Sequence, residues 1–252
     1  MKPIRITVWN EYRQERRDEP VRKTYPEGIH KAIAGAFADP LVCGNPSDFV
    51  VRTATLDEPE HGLSKEVLDA TDVLFWWGHI AHGEVATEIV DRIQERVLGG
   101  MGLIVLHSAH ASRLFQRMLG TSCRLRWREA NEKVRLFNIR PDHAITQGIP
   151  DTFELPAEEM YGERFGIPDP NELVFLEWFE GGDVFRGGCC FRREKGKIFY
   201  FQPGHETYPQ YYNPLIRRIL VNAARWAAPL AEVQPELDCP NALPFEAISS
   251  KE

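Results

Sequence analysis

The sequence predicts an α/β fold, a three-layer, doubly wound and mostly parallel sheet. Three observations carry that expectation. Short β-rich runs alternate with helical patterns through the first half of the chain. The run Gly102-Leu103-Ile104-Val105-Leu106 is continuously apolar, as a parallel strand covered on both faces must be. That run passes directly into the small polar turn His107-Ser108-Ala109-His110 and then into a helical pattern. In such sheets ligands bind just beyond the carboxyl ends of the strands. The turn therefore marks where chemistry is expected.

The elements follow in order. A first strand is expected over residues 4–9. A helix follows over residues 29–37, entered through Tyr25-Pro26-Glu27-Gly28. The second strand covers residues 49–55. Ser64 offers a hydroxyl N-cap to a short helix ending at residue 70. The third strand spans residues 73–77, an amphipathic helix residues 83–98, the fourth strand residues 103–106 and a helix residues 112–119. The second half changes character. Residues 124–139 are charged and alternating, like antiparallel strands, and residues 142–150 are turn-rich. Further strands are expected over residues 172–179, 188–193 and 197–201. The last helix covers residues 214–227 and starts with proline, which is favoured at an early helical position. Residues 1–229 read as one domain. Residues 230–252, rich in proline and acidic groups, read as a tail that packs on the domain or on a partner.

Composition narrows the function. A chain of 252 residues fits one large α/β domain and can bury its core without disulfides. Its five scattered cysteines suggest no disulfide framework, so a reducing, cytoplasmic setting is expected. The formal net charge of −7 argues against nucleic acid or an anionic membrane as partner. No apolar run approaches the ~20 residues of a membrane span. The opening residues read as a strand rather than as a signal peptide.

Four strand ends carry polar groups: Asn10-Glu11, His79 with His82 close behind, His107-Ser108-Ala109-His110, and Gly204-His205-Glu206. In a parallel sheet these ends share one edge, so residues distant in sequence can converge there. Neutral imidazoles with a carboxylate bind zinc and other divalent first-row metals. His79, His107 and His205 are the expected metal ligands. No His-Glu-x-x-His motif is present, and the spacings equally allow His205 to act as general base toward Ser108 or a water. His82 and His110 belong to that edge or, alternatively, face solvent on first helical turns, and His30 and His61 are expected to be structural. Trp76 and Trp77 are adjacent and so point to opposite faces of their strand; one belongs to the core and Trp77 can wall a pocket. Glu158-Glu159-Met160-Tyr161 is expected to be a loop that brings a carboxylate and a phenol over the site. Cys189 and Cys190 are expected to be small apolar fillers of a strand.

Taken together, Val8-Trp9-Asn10-Glu11, Tyr25-Pro26-Glu27-Gly28-Ile29-His30, Trp76-Trp77-Gly78-His79, Leu106-His107-Ser108-Ala109-His110, residues 142–150, Glu159-Met160-Tyr161 and Gly204-His205-Glu206 make the chain resemble the ThuA-like family, named for trehalose utilisation. The resemblance implies a flavodoxin-like, class I glutamine-amidotransferase-like frame. In that superfamily a cysteine nucleophile sits on a strained turn after a strand, and a later strand supplies a histidine. Here the turn holds His107 or Ser108 and no cysteine; the nearest downstream is Cys123. Glutamine hydrolysis is therefore not expected, because thiolate chemistry needs the thiol.

The resemblance implies catabolism of trehalose or a related disaccharide or keto-sugar. The expected chemistry is a hydrolase, lyase or isomerase reaction with His205, His107 and Glu159 as catalytic residues. Trp77, Tyr161, Ser108 and Glu11 are expected to bind substrate. The expected cofactor is zinc or another divalent metal and no nucleotide. No carboxylate pair at glycosidase spacing is recognisable. The alternative is a non-catalytic sugar-binding or assembly protein on the same frame. A serine hydrolase built on Ser108 and His205 ranks last, since the turn lacks Gly-x-Ser-x-Gly. The aromatics Tyr208, Tyr211 and Tyr212, taken as exposed, suggest a homo-oligomer.

Overall fold

The computed structural model describes residues 2–229, so the expected tail lies outside the described residues. Strand β1 (Ile4–Asn10) leads through four short helices, α1 (Gln14–Arg17), α2 (Glu19–Thr24), α3 (Ile29–Gly35) and α4 (Pro40–Cys43), to β2 (Phe49–Thr55). Then follow α5 (Lys65–Asp69), β3 (Val73–Trp77), α6 (Thr87–Leu98), β4 (Gly102–Leu106) and α7 (Arg113–Leu119). The second half contributes β5 (Arg126–Asn138), β6 (Thr152–Gly162), β7 (Glu172–Phe179), β8 (Val184–Arg193), β9 (Gly196–Phe201) and α8 (Pro214–Ala227).

All strands join one sheet in the order β2-β1-β3-β4-β9-β8-β7-β5-β6. The first five are parallel neighbours; from β9 outward every pairing is antiparallel. Strands β3 and β4 are buried at every residue, which is why they read as uninterrupted apolar runs. The helices fall into two packed groups, α5-α6-α7 and α3-α4-α8, consistent with layers on the two faces of the sheet. Helix α6 buries Ile89, Val90, Ile93 and Val97, one stripe at helical spacing. The hydroxyls of Ser64 and Ser112 cap α5 and α7 by accepting the Val67 and Phe115 amides.

The structure departs from the sequence reading in definite places. Residues 14–24 form two short helices that the sequence does not announce, because the stretch is charged and has no apolar period. The expected helix start at residue 83 moves to Thr87, with a single 3₁₀ turn at His82–Glu84 before it. Residues 126–138 form one long strand, whose register shifts between Arg128 and Val134. Residues 158–161 are not a loop but the end of β6. Pro156 obscures that strand; β6 lies at the sheet edge, where a missing N–H is tolerated. Tyr208 and Tyr211 are buried and only Tyr212 is exposed, so the aromatic argument for an oligomer loses two of its three residues. Cys189 and Cys190 are buried in β8, as expected of apolar fillers.

Candidate active site

The turn after β3 is organised by Glu11, the residue that follows β1. Its buried carboxylate accepts the backbone amides of His79 (2.8 Å), Ile80 (2.8 Å) and Ala81 (3.0 Å). Glu11 thus shapes the His79 turn and does not face a ligand, contrary to the expected substrate role. Trp77 also departs from expectation. It is fully buried, and its indole nitrogen donates to the Gly204 carbonyl at 3.2 Å. It ties the β3 turn to the β9 turn from beneath the site. Trp76, on the opposite face, stacks on Trp9 with centroids 3.8 Å apart.

His107 is the first residue after β4, and its φ is +49°. A non-glycine residue pays of order 1–3 kcal/mol for that left-handed conformation, and such strain clusters at functional sites. Between His107 and Ser108, the elbow therefore belongs to His107. The imidazole is completely buried. Nδ1 lies 2.8 Å from the Gln202 carbonyl, which requires the ring proton there. The Tyr200 hydroxyl donates to the His107 carbonyl at 3.2 Å, and the Tyr161 ring stacks on the imidazole at 5.0 Å. Nε2 lies 3.0 Å from Glu159 Oε2. Burial alone would lower the pKa of this ring. The adjacent Glu159, with Glu158 and Glu206 beyond, outweighs burial and raises it to about 9. Ser108 borders the cleft, and its hydroxyl donates to the Gly78 carbonyl at 2.9 Å. Among the described residues no imidazole hydrogen-bonds that hydroxyl, which removes the geometric basis for a serine nucleophile.

Glu159 and His205 reach the same point from β6 and from the turn after β9. Burial pushes the Glu159 carboxyl up, but His107, then His205 and His79, hold it below its ordinary range. Its Oε2 is buried and receives no aligned hydrogen bond. Glu158, one residue earlier, points the other way. Its carboxylate accepts the amides of Glu159 (2.9 Å), Gly204 (3.0 Å) and His205 (3.3 Å) and so stitches β6 to the β9 turn. Burial raises it to about 7. His205 Nδ1 lies 2.8 Å from the Thr207 hydroxyl, and burial lowers this ring to about 4.

One ring nitrogen each of His107 and His205 and one Glu159 oxygen lie within 4.8 Å of one another. The ring centroids of His79, His107 and His205 are 6.3, 5.9 and 5.4 Å apart in pairs, so the three expected histidines do converge. The converging ligand set differs from the expected one at a single corner, where Glu159 stands in place of His79. His79 Nδ1 is engaged by Gln14 Oε1 (2.8 Å) and Glu206 Oε2 (3.2 Å). Glu206 also accepts from the Gln14 amide at 2.6 Å. Burial raises the Glu206 carboxyl, yet the His79 contact and the nearby histidines carry it down to about 2.

His79, Ser108, Glu159, Tyr161, His205 and Glu206 line a cleft of about 550 Å³, and His107 lies buried behind it. Gln14, Trp127 and Glu129 border it without having been assigned to it from the sequence, whereas Glu206 borders it as part of the Gly204-His205-Glu206 strand end. Gln14 and Trp127 sit in charged stretches that carry no signal of it. His82 and His110 also line the cleft instead of facing solvent, and burial lowers both rings to about 4. His30 is buried against Asn10 and His61 braces the Ala86 amide, both structural as expected. Cys123 is buried behind the site, its thiol raised by burial, and no thiol borders the cleft.

The fold is like that of the class I glutamine-amidotransferase-like proteins, and the elbow after β4 carries His107. Within that class, the family model described as ThuA, trehalose utilisation, matches residues 5–227, and the chain belongs to this family. Among solved structures it is similar to a ThuA-like protein of Parabacteroides merdae (14% identity, 93% of this chain and 94% of that one, TM-score 0.63). It is also similar to a ThuA-like protein of Bacteroides uniformis (17%, 89% and 91%, TM-score 0.61). PurLQS of Thermotoga maritima aligns at 14% identity over 90% of this chain and 99% of that one, TM-score 0.54. At these identities the likeness is one of fold. No curated protein matches the chain.

Proposed function

We propose that this cleft is the divalent-metal centre of an enzyme that acts on a disaccharide or keto-sugar, as a hydrolase, lyase or isomerase. The observation that carries the reading is the convergence of His107, Glu159 and His205 on one buried point. The donor set suits zinc, which takes imidazole nitrogen and carboxylate oxygen. The hydrogen bond at His107 fits as well: the Gln202 carbonyl takes the Nδ1 proton, so Nε2, 3.0 Å from Glu159 Oε2, is the nitrogen turned toward the converging point, while His205 Nδ1 accepts the Thr207 amide at 3.3 Å. A bound divalent ion would polarise a sugar carbonyl or lower the pKa of a bound water. His79, oriented through Nδ1 by Gln14 and the ionised Glu206, borders the cleft and is placed to move a proton at the substrate. Tyr161 and Ser108 wall the pocket beside the reacting groups.

The test is the metal content of tag-free protein, measured by elemental analysis beside His107→Ala and His205→Ala. Near-stoichiometric zinc or manganese that both variants lose is the expected result. Wild-type protein that stays metal-free after loading overturns the metal centre and favours the sugar-binding alternative on the same frame.

A further inference from the structure

Trp127 is 65% exposed, and every other tryptophan of the chain is buried or half-buried. A large apolar surface left in water on a chain with a full core asks for an occupant. Its place narrows what that occupant is. Trp127 lies directly across the β5–β6 ladder from Tyr161, so the two side chains share a face of the sheet. Tyr161 in turn stacks on His107. The cleft therefore has an aromatic wall of Tyr161 and Trp127, with the buried His107 stacked behind Tyr161. Glu129, two residues along β5 and on the same face, also borders the cleft, with Oε1 3.9 Å from His205 Nε2. The exposed Arg124 lines the same rim.

We infer that Trp127 is the platform of a second sugar subsite, so that the preferred ligand carries at least two linked rings. A pyranose has a face of C–H groups and an equator of hydroxyls. An indole covers the first, and a carboxylate and a guanidinium beside it serve the second. The converging groups lie one aromatic residue further in, behind Tyr161. A protein surface would need a wider apolar area than one indole inside a charged rim. The inference rests on the reading that the cleft binds carbohydrate, and it adds the ring count and the residue that reads it.

The test uses the full chain loaded with zinc, and glucose, maltose and trehalose as probes. Binding is followed by calorimetry and by indole fluorescence, to which the single exposed tryptophan responds. Trp127→Ala is expected to weaken the bound disaccharide about five- to tenfold, leave glucose unchanged and abolish the fluorescence response, while Trp127→Phe recovers most of the affinity. Metal content remains at the wild-type level in both. Wild-type protein that binds sugars but whose disaccharide preference survives Trp127→Ala overturns the subsite and leaves the carbohydrate reading intact. Wild-type protein that binds none of the probes overturns both. A shift from dimer to monomer in Trp127→Ala on size exclusion, with sugar binding untouched, assigns the indole to a second copy of the chain and likewise overturns the subsite.

Discussion

The parallel and antiparallel halves of the sheet serve the same cleft by different means. On the parallel side, residues at the strand ends build the scaffold of the turns: Glu11 gathers three amides, Trp77 clamps the β9 turn and His107 sits on the elbow. On the antiparallel side, β5 and β6 supply residues that border the cleft: Glu159, which meets His107 and His205 from the parallel side, Tyr161 as a wall and Trp127 at the mouth. The lesson is that what a side chain is bonded to separates the two kinds of residue better than chemical type does: Glu11 and Trp77 hold backbone groups, whereas Glu159 and Trp127 border the cleft. Two tryptophans and two glutamates, one of each on each side, are assigned opposite duties.

The largest expected contrast is in stability. Trp77→Ala removes a fully buried indole and its hydrogen bond and should cost about 3–5 kcal/mol. Trp127→Ala should stay within about 0.5 kcal/mol of wild type, as an exposed change does. Urea denaturation of both variants measures this, and similar midpoints would erase the distinction. Next comes Glu11→Ala, which orphans three amides. A loss of about 1–3 kcal/mol is expected, together with faster amide exchange at His79, Ile80 and Ala81. Unchanged exchange there would show that the turn stands without Glu11.

The pH dependence of metal-free protein sharpens the comparison further. His107 is raised from 6.5 to about 9, so its stabilising contribution is complete below pH 6.5 and lost as pH rises through 9. Glu158, raised from 4.5 to about 7, adds a loss over that lower interval. His30, His82, His110 and His205 are lowered by burial to about 4. Their contribution is present above pH 6.5 and lost as pH falls toward 4. The melting temperature should therefore peak near pH 6–7. His107→Asn should flatten the alkaline limb; a limb of unchanged slope would detach His107 from it. Among the buried positions the smallest effect belongs to Ser108→Ala, which loses one hydrogen bond worth about 1 kcal/mol and should keep its full metal content. Labelling of wild-type Ser108 by a fluorophosphonate would restore the serine mechanism.

The same division explains what the sequence discloses. The apolar runs ending in Trp77 and Leu106 mark parallel strands and place His79 and His107 at one edge, because two-sided burial leaves a continuous pattern. The antiparallel half blurs. Its strands face water on one side, Pro156 interrupts β6, and the register shift in β5 breaks the alternation that would reveal which residues face the cleft. Trp127 and Gln14 therefore escape notice. Glu11 and Trp77 are found but misassigned, since their residue types suit a ligand as readily as they suit the backbone they hold.

The elbow itself has a wider meaning. His107 keeps the left-handed backbone of a nucleophile's seat and offers a side chain that forms no acyl bond. Scaffold and side chain are thereby separable: the elbow fixes where a group stands, and the residue placed there decides which chemistry it can offer. Functional inference for such folds has to be made at the side chain in the socket, since the shape of the socket outlives the chemistry it once served.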